Sequence, residues 1–542
     1  MSKSENQTLR VMSPQTMLVF ALMLAAISAV LFWLLSHNYA SDMALSRWSK
    51  VISVLDAEKF RIGNLGLLYP HAPLYSLVPF YVFGLNWGAS APYFASSLFG
   101  AALLAIWNHH LKEKNYSLPQ RSLFLLLVAI HPYFLWAVTS GTQHALGLLM
   151  FYFLWLASVR LLHLADARAF LMFGMALALY FFVDEKTYFI YFALLPLIPL
   201  IIHRRMMDES PISVYLVLST PLIVAGLSWM YLNMTFSIGA LEFLESPYAT
   251  FRGLWPRTPD VDWLRHFGGE FFTPLMYSLA FAVVSFPSAI WLTWRSRRHS
   301  RVLHVSEAMF LHVVIASAIA TAAFFLAHPV EMLCLFAPGV MAALVLLPRE
   351  TDKSKLAALY GLLLVGVVGG WLSMQWMPTI EMERWVSAVE GNAVKDISSA
   401  DMKVGKWLAD NRMPTLMDDH VGYRVIVARG DAKQLILPFS HEFQLALRSD
   451  NLAHLPRISE HKDFSVDQIL VMDPGHTYVP KNLKGEAATT LQMTDMVSSR
   501  YFDLYRNGMK GYELVYDQDY WRVYRKIKGS LDVMREVEQC AP

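Results

Sequence analysis

Asp42 is the first residue whose type and position could do chemistry. It stands a few residues beyond a long apolar run, followed by Asp56, Glu58 and the segment Tyr69-Pro70-His71-Ala72-Pro73-Leu74-Tyr75. A carboxylate there faces both water and a lipid head group, where it can accept a proton from a hydroxyl. An acid that favours a helix N-terminus accounts for the same residue. Three more turns between apolar runs carry Gln143-His144, Asp184-Glu185, and His328 with Glu331. Singly, each reads as a solvated turn. Four loops bringing acid or imidazole to one face favour a site, because ionisable groups at a membrane are costly and serve function where they line a cavity. Residues 233–271 add Glu242, Glu245, Arg252, Arg257 and Arg265 among Trp255, Trp263 and Phe267. A guanidinium fork suits phosphate, although a charge-balanced aromatic belt at the interface explains the loop equally well.

The elements that must hold these residues are apolar. Of 542 residues 55% are hydrophobic and only 16% charged, against about a quarter charged in soluble domains. That deficit indicates a polytopic membrane protein. A net charge of +2 with no dense basic stripe away from the membrane flanks argues against a nucleic-acid partner. Cys334 and Cys540 are the two cysteines. One lies in an apolar run and the other near the chain end, so neither a disulfide nor a zinc or redox motif is expected.

Eleven spans are predicted near 17–36, 90–109, 122–140, 145–162, 169–183, 188–202, 212–232, 272–293, 307–327, 331–348 and 356–376. The first lacks a clear cleavage site and reads as a retained helix. Every second connection is short and basic: Lys112, Lys114 and Arg121; Arg160 and Arg168; His203-Arg204-Arg205; Arg295 to Arg301; Arg349, Lys353 and Lys355. The positive-inside rule places these loops and the N-terminus in the cytoplasm. The first loop (37–89), the 233–271 loop and the tail then lie on the other side. The chain therefore reads as a transmembrane domain, 1–376, and a soluble α/β domain, 377–542. In the tail, helical stretches alternate with Thr415-Leu416, 434–438 and 468–473, and a hairpin spans 512–524. Residues 41–60 read as an amphipathic helix on the membrane surface, with Trp48, Ile52 and Leu55 on one face. Pro73 to Trp87 reads as a short interfacial helix.

This order of features resembles the GT-C class of integral-membrane glycosyltransferases, which includes the protein O-mannosyltransferases and the lipid A aminoarabinose transferases. The resemblance is carried by Asp42 at the start of the first outer loop, the 41–60 helix, the Tyr69–Tyr75 segment, the basic turn after the second span and the soluble outer tail. It implies a GT-C-like bundle of about eleven transmembrane helices in the inner (plasma) membrane. It also implies a polyprenyl-phosphate-linked sugar as donor and a glycan, lipid or protein as acceptor. Asp42 is then the expected catalytic base. His71, His144, Asp184, Glu185 and Glu331 are supporting acids or bases, and Arg252, Arg257 and His328 are ligands for the lipid phosphate, with His71 also considered. A divalent metal is optional, since phosphate is already a good leaving group. In one respect the chain departs from the pattern: many relatives carry a second acid where this chain has Gln143-His144. That departure leaves room for a non-catalytic assembly subunit of an envelope polysaccharide system.

A lipid or polysaccharide transporter needs acids or broken helices near mid-membrane, and here the charges sit at the edges. A polymerase is closer in chemistry. Asp42→Asn is expected to abolish transfer while leaving thermal stability near wild type. Reporters fused after Arg298 and after Lys528 should report cytoplasm and the opposite side respectively; both on one side would contradict the orientation.

Overall fold

The computed structural model describes residues 14–56, 70–83, 88–164, 166–184, 186–202, 204–236, 240, 272–323, 329–376, 380–394, 399–438, 440–449, 452, 465–474, 495–501 and 503–527. Glu58, Glu185, Glu242, Glu245, Arg252, Arg257, Arg265 and His328 lie outside the described residues.

The long apolar runs are helical. Among the described residues five helices are long and apolar enough to cross a membrane: Pro14–Ser36, His144–His163, Pro211–Thr235, Leu303–Ala320 and Lys353–Trp376. A sixth is possible if Leu118–Ala129 and Pro132–Thr139, bent by 72°, count as one span. The bend has a local cause. Pro132 lacks the N–H that would continue the helix, and its ring drives His131 out of the helical region, to φ −64° and ψ 125°. Phe286, at φ −134° and ψ 53° before Pro287, separates the helices Phe272–Ser285 and Pro287–Ser296. The segments Ala167–Phe181, Thr187–Ile201 and Glu331–Leu346 are helical but shorter than a full crossing. The chain is thus a multi-pass membrane protein whose helix lengths account for five or six crossings, not for all eleven predicted ones. Apolar runs in sequence carry no record of proline bends.

The bundle core is aromatic, with Trp107, Trp136, Tyr133, Phe134 and Tyr152 buried together. Small residues let backbones close on it. The Phe310 ring lies so near Gly339 that a Cβ there would sit 1.8 Å from Phe310 Cζ. At the outer end, Gly141 adopts φ +74°, and a Cβ on it would meet Ala44 Cβ at 2.9 Å and a Tyr93 ring carbon at 2.8 Å. Only glycine fits this turn at low cost, and it is what brings the Gly141–Gln143 turn against the helix that starts at Asp42.

The C-terminal part is a five-stranded mixed sheet in the order β2-β1-β3-β5-β4. Its strands are β1 Thr415–Leu416, β2 Leu435–Ile436, β3 Gln468–Met472, β4 Tyr512–Gln518 and β5 Trp521–Lys526. β1 runs parallel to β2 and β3, whereas β5 is antiparallel to β3 and β4. Every residue of β3 is buried, as expected of a strand covered on both faces. Phe443, Leu452, Val497 and Leu504 cover one face. The helices Ser399–Asp410 and Tyr423–Arg429 cover the other.

That second face also corrects the sequence reading of the surface helix. The helix is Asp42–Leu55, capped by Ser41 Oγ, which accepts from Ala44 N at 3.2 Å. Its Trp48, Val51 and Ile52 do not face lipid. They share a core with Val404, Leu408, Val425 and Ile426 of the C-terminal part. An amphipathic stripe records that an apolar partner exists, not whether the partner is lipid or protein. Two polar links seal the junction: Lys50 pairs with Asp419, and Ala432 N donates to Asp56 Oδ2 at 3.0 Å. Because Trp48 is 1% exposed, Trp48→Ala should cost about 3–5 kcal/mol of local packing. Limited proteolysis is then expected to separate the C-terminal part from the helices more readily; unchanged cleavage would contradict this junction.

Candidate functional site

Asp42 opens the surface helix, and its carboxylate ends up between two arginines from far along the chain. Arg384, on the Ile380–Val389 helix, places Nη1 2.9 Å from Asp42 Oδ2. Arg424, on Tyr423–Arg429, pairs with Asp42 Oδ1. Tyr423 bonds to the same carboxylate through its hydroxyl. The Asp42 side chain is 40% exposed, Arg384 14% and Arg424 6%, so the acid faces the opening and the guanidiniums lie behind it. Burial acts to raise the Asp42 carboxyl, but Arg424 and Arg384 overcome it and hold the group well below the usual carboxylate range. Arg424 is anchored in turn. Its Nη1 lies 3.5 Å from Asp401 Oδ2, and Asp401 Oδ1 accepts from Tyr520 Oη at 3.0 Å and Trp521 Nε1 at 2.6 Å. A continuous polar chain therefore runs from the β5 end of the sheet to the start of the Asp42–Leu55 helix.

A second layer lies deeper. Glu381, one turn before Arg384, sits against the Ser41 side chain, with Asp42 and Glu331 as neighbouring charges. Burial and those two acids outweigh Ser41 and Arg384 and push its carboxyl up to about 7. Glu381 Oε1 and the nearby Tyr39 Oη are shielded from solvent and lack hydrogen-bond partners among the described residues. Glu331 pairs with Lys186 at 3.4 Å, and both are buried. Asp184 closes the adjoining turn: its Oδ1 accepts from Lys186 N at 2.9 Å and its carbonyl accepts from Thr187 Oγ1 at 2.7 Å. Arg47 and Lys186 flank His144, whose ring packs on Trp136 at 4.6 Å.

The sequence-predicted residues therefore separate. Asp42, Glu331, Asp184 and His144 fall within one network at the end of the bundle that meets the C-terminal part. His71 does not join it: its ring stacks on Trp229 at 4.1 Å, with Phe182 at 4.7 Å. Burial pushes that imidazole down to about 4, so at neutral pH it is an uncharged member of an aromatic stack. Both amide atoms of Gln143 are buried without partners among the described residues. Sequence reasoning missed Glu381, Arg384 and Arg424. The first two had a signal, an acid and an arginine three apart on a helix just after the last apolar run. Arg424 had none, since only the fold brings it to Asp42.

Asp418, Asp419 and Asp495 form another buried acidic group, and its role is architectural. Asp418 Oδ2 accepts from Met496 N at 2.9 Å, and Asp495 accepts from Met472 N at 3.2 Å and Ser498 Oγ at 2.7 Å, tying Met496–Arg500 to β3. Among the described residues no group of three or more His, Cys, Asp or Glu side chains is placed to hold a metal ion.

Asp42 is not a free acid, so the expectation that Asp42→Asn leaves stability untouched does not fit this geometry. Losing the carboxylate strands two inward-lying guanidiniums, and a cost of about 0.5–3 kcal/mol is expected. The pH dependence has a definite sign. A carboxyl held acidic in the fold contributes stability that is present above about pH 4 and lost as pH falls through the lowered native value. In Arg424→Gln one cation is gone, so the loss should begin at higher pH. Melting curves taken from about pH 7 to about pH 4 should fall more steeply for this variant; parallel curves would contradict the pairing.

No family model matches the sequence, and no curated protein matches it. Among solved structures the chain is similar to ArnT from Cupriavidus metallidurans, solved bound to undecaprenyl phosphate. The TM-score is 0.54 at 12% identity, and the match covers 94% of this chain and 98% of that one. Over nearly its whole length, then, the chain has the fold of ArnT, which is the GT-C-like membrane architecture that the sequence resemblance implies.

Proposed function

We propose that this protein is a glycosyltransferase that moves a sugar from a polyprenyl-phosphate donor to a hydroxyl of a glycan, lipid or protein acceptor at the non-cytoplasmic face of the membrane. The observation that carries the reading is the half-exposed Asp42 set between Arg384 and Arg424, in a chain with the ArnT fold. The phosphate that departs from the sugar carries the developing negative charge, and paired guanidiniums held in a low-dielectric setting stabilise such charge. Arg384 and Arg424 are assigned to that task, with Arg252, Arg257 and His328 as further phosphate ligands from the outer loops. The carboxylates of the network supply the base. In this assignment residues 1–376 form the membrane domain, residues 377–542 close the site from the non-cytoplasmic side, and all eleven apolar segments traverse or line the bilayer.

One observation favours a second reading. Both Asp42 oxygens are engaged by arginine, and Gln143 stands where many relatives carry an acid. An assembly subunit that binds a lipid phosphate without turnover would share these features.

Binding and turnover separate the two readings. In nanodiscs, undecaprenyl phosphate is expected to raise the melting temperature of the wild type, and this shift should shrink in Arg384→Gln and Arg424→Gln. A panel of polyprenyl-phosphate sugars should then be consumed by the wild type and not by Asp42→Asn. Stabilisation without consumption of any donor would support the subunit; no stabilisation would contradict both readings.

A further inference from the structure

Within the transferase reading, on which this inference rests, we propose that Glu381, and not Asp42, takes the proton from the acceptor hydroxyl. Asp42 faces Arg384 and Arg424 and accepts from Tyr423. Three donors on one carboxylate leave little capacity for a proton, and the two cations favour the ionised form. Asp42 is thereby suited to fixing the arginines and poorly suited to general-base catalysis, which works best when the group's proton affinity lies near the working pH.

Glu381 has the opposite surroundings. Asp42 on the surface helix and Glu331 on the Pro329–Leu335 turn oppose its negative charge, while Arg384 on its own helix and Ser41 favour it. Tyr39, following the first helix, and Tyr93, on Ala91–Glu113, also face it. Tyr93 Oη is already engaged, accepting from Ser41 N at 2.7 Å. Tyr39 Oη and Glu381 Oε1 are not: both are buried without a partner among the described residues. Leaving a buried polar atom unmatched costs about 1–3 kcal/mol. A hydroxyl answers both vacancies at once, because it donates to the carboxylate while accepting from the phenol. Proximity to Asp42 and Arg384 places such a hydroxyl next to the phosphate assigned to the arginines.

The step balances. The acceptor oxygen forms the new bond to the anomeric carbon while its proton passes to Glu381 Oε1. The bond from that carbon to the phosphate oxygen breaks, and the electron pair leaves with the phosphate toward Arg384 and Arg424. Glu381 then releases the proton to solvent. No oxidant, reductant or metal is needed for the balance.

The test uses the full chain in nanodiscs containing undecaprenyl phosphate, with infrared titration of the carboxyl band and transfer from polyprenyl-phosphate sugars measured against pH. The wild type should show a carboxyl that titrates near neutrality and a transfer rate that falls on the acidic side of it. In Glu381→Gln that band and the acidic limb should both disappear, with kcat lowered about 10²–10⁴-fold and KM for the donor lipid unchanged. Glu381→Asp, which keeps the acid, should recover part of the rate. If Glu381→Gln folds and retains wild-type kcat with its acidic limb, or if no carboxyl titrates near neutrality, the assignment of Glu381 is overturned while the transferase stands. If the wild type consumes no donor at all, the transferase reading fails and this assignment falls with it. An ordered water between Tyr39 and Glu381, with no part in transfer, would leave kcat unchanged in Glu381→Gln and so counts against the proposal.

Discussion

The structure turns on one carboxylate shared by two distant arginines. Asp42 opens the helix that follows the first apolar run, Arg384 belongs to the helix after the last one, and Arg424 to the C-terminal part that carries the sheet. These pairs bridge sequence separations of 342 and 382 residues. An inward-lying guanidinium without its partner is expensive, so each of the three elements is held in place by the other two. The apolar contacts of Trp48, Val51 and Ile52 with Val425 and Ile426 supply the area, and the ion pairs fix the register. The polar chain through Asp401 to Trp521 then transmits that register into the sheet.

This arrangement sets two acids in opposite surroundings, one singled out in the sequence and one not. Position decides their chemistry: Asp42 faces cations and stays ionised, whereas Glu381 faces carboxylates and titrates near neutrality. The departure at Gln143 is then less damaging to catalysis than it first looks. In the proposed mechanism the second acid comes from the Ile380–Val389 helix instead of from the turn after the third apolar run. Lys186 with Glu331, and Arg47 beside His144, continue the network across the bundle mouth.

Much of this was legible in the residues. The apolar runs and their basic connections announced a membrane protein, the alternation after Ser399 announced an α/β tail, and Asp42 stood out by its place after the first run. What escaped was whatever depends on three dimensions. His71 lies in the Tyr69–Tyr75 segment that carries the resemblance, and in the fold its ring packs against Trp229 and Phe182. The Trp48–Ile52 stripe was assigned to lipid because a stripe does not name its partner. Pro132 and Pro287 break helices within apolar runs, and a run of apolar residues does not show where such a break falls. Arg424 was invisible because nothing near it in sequence distinguishes it from the other arginines of the tail.

The measurement that bears most directly on this account is an experimental structure of the chain with undecaprenyl phosphate bound. The account predicts the phosphate at the mouth, hydrogen-bonded to Arg384 and Arg424 beside Asp42, with Glu381 one layer behind. A phosphate seated elsewhere, with both arginines still closed on Asp42, would contradict it.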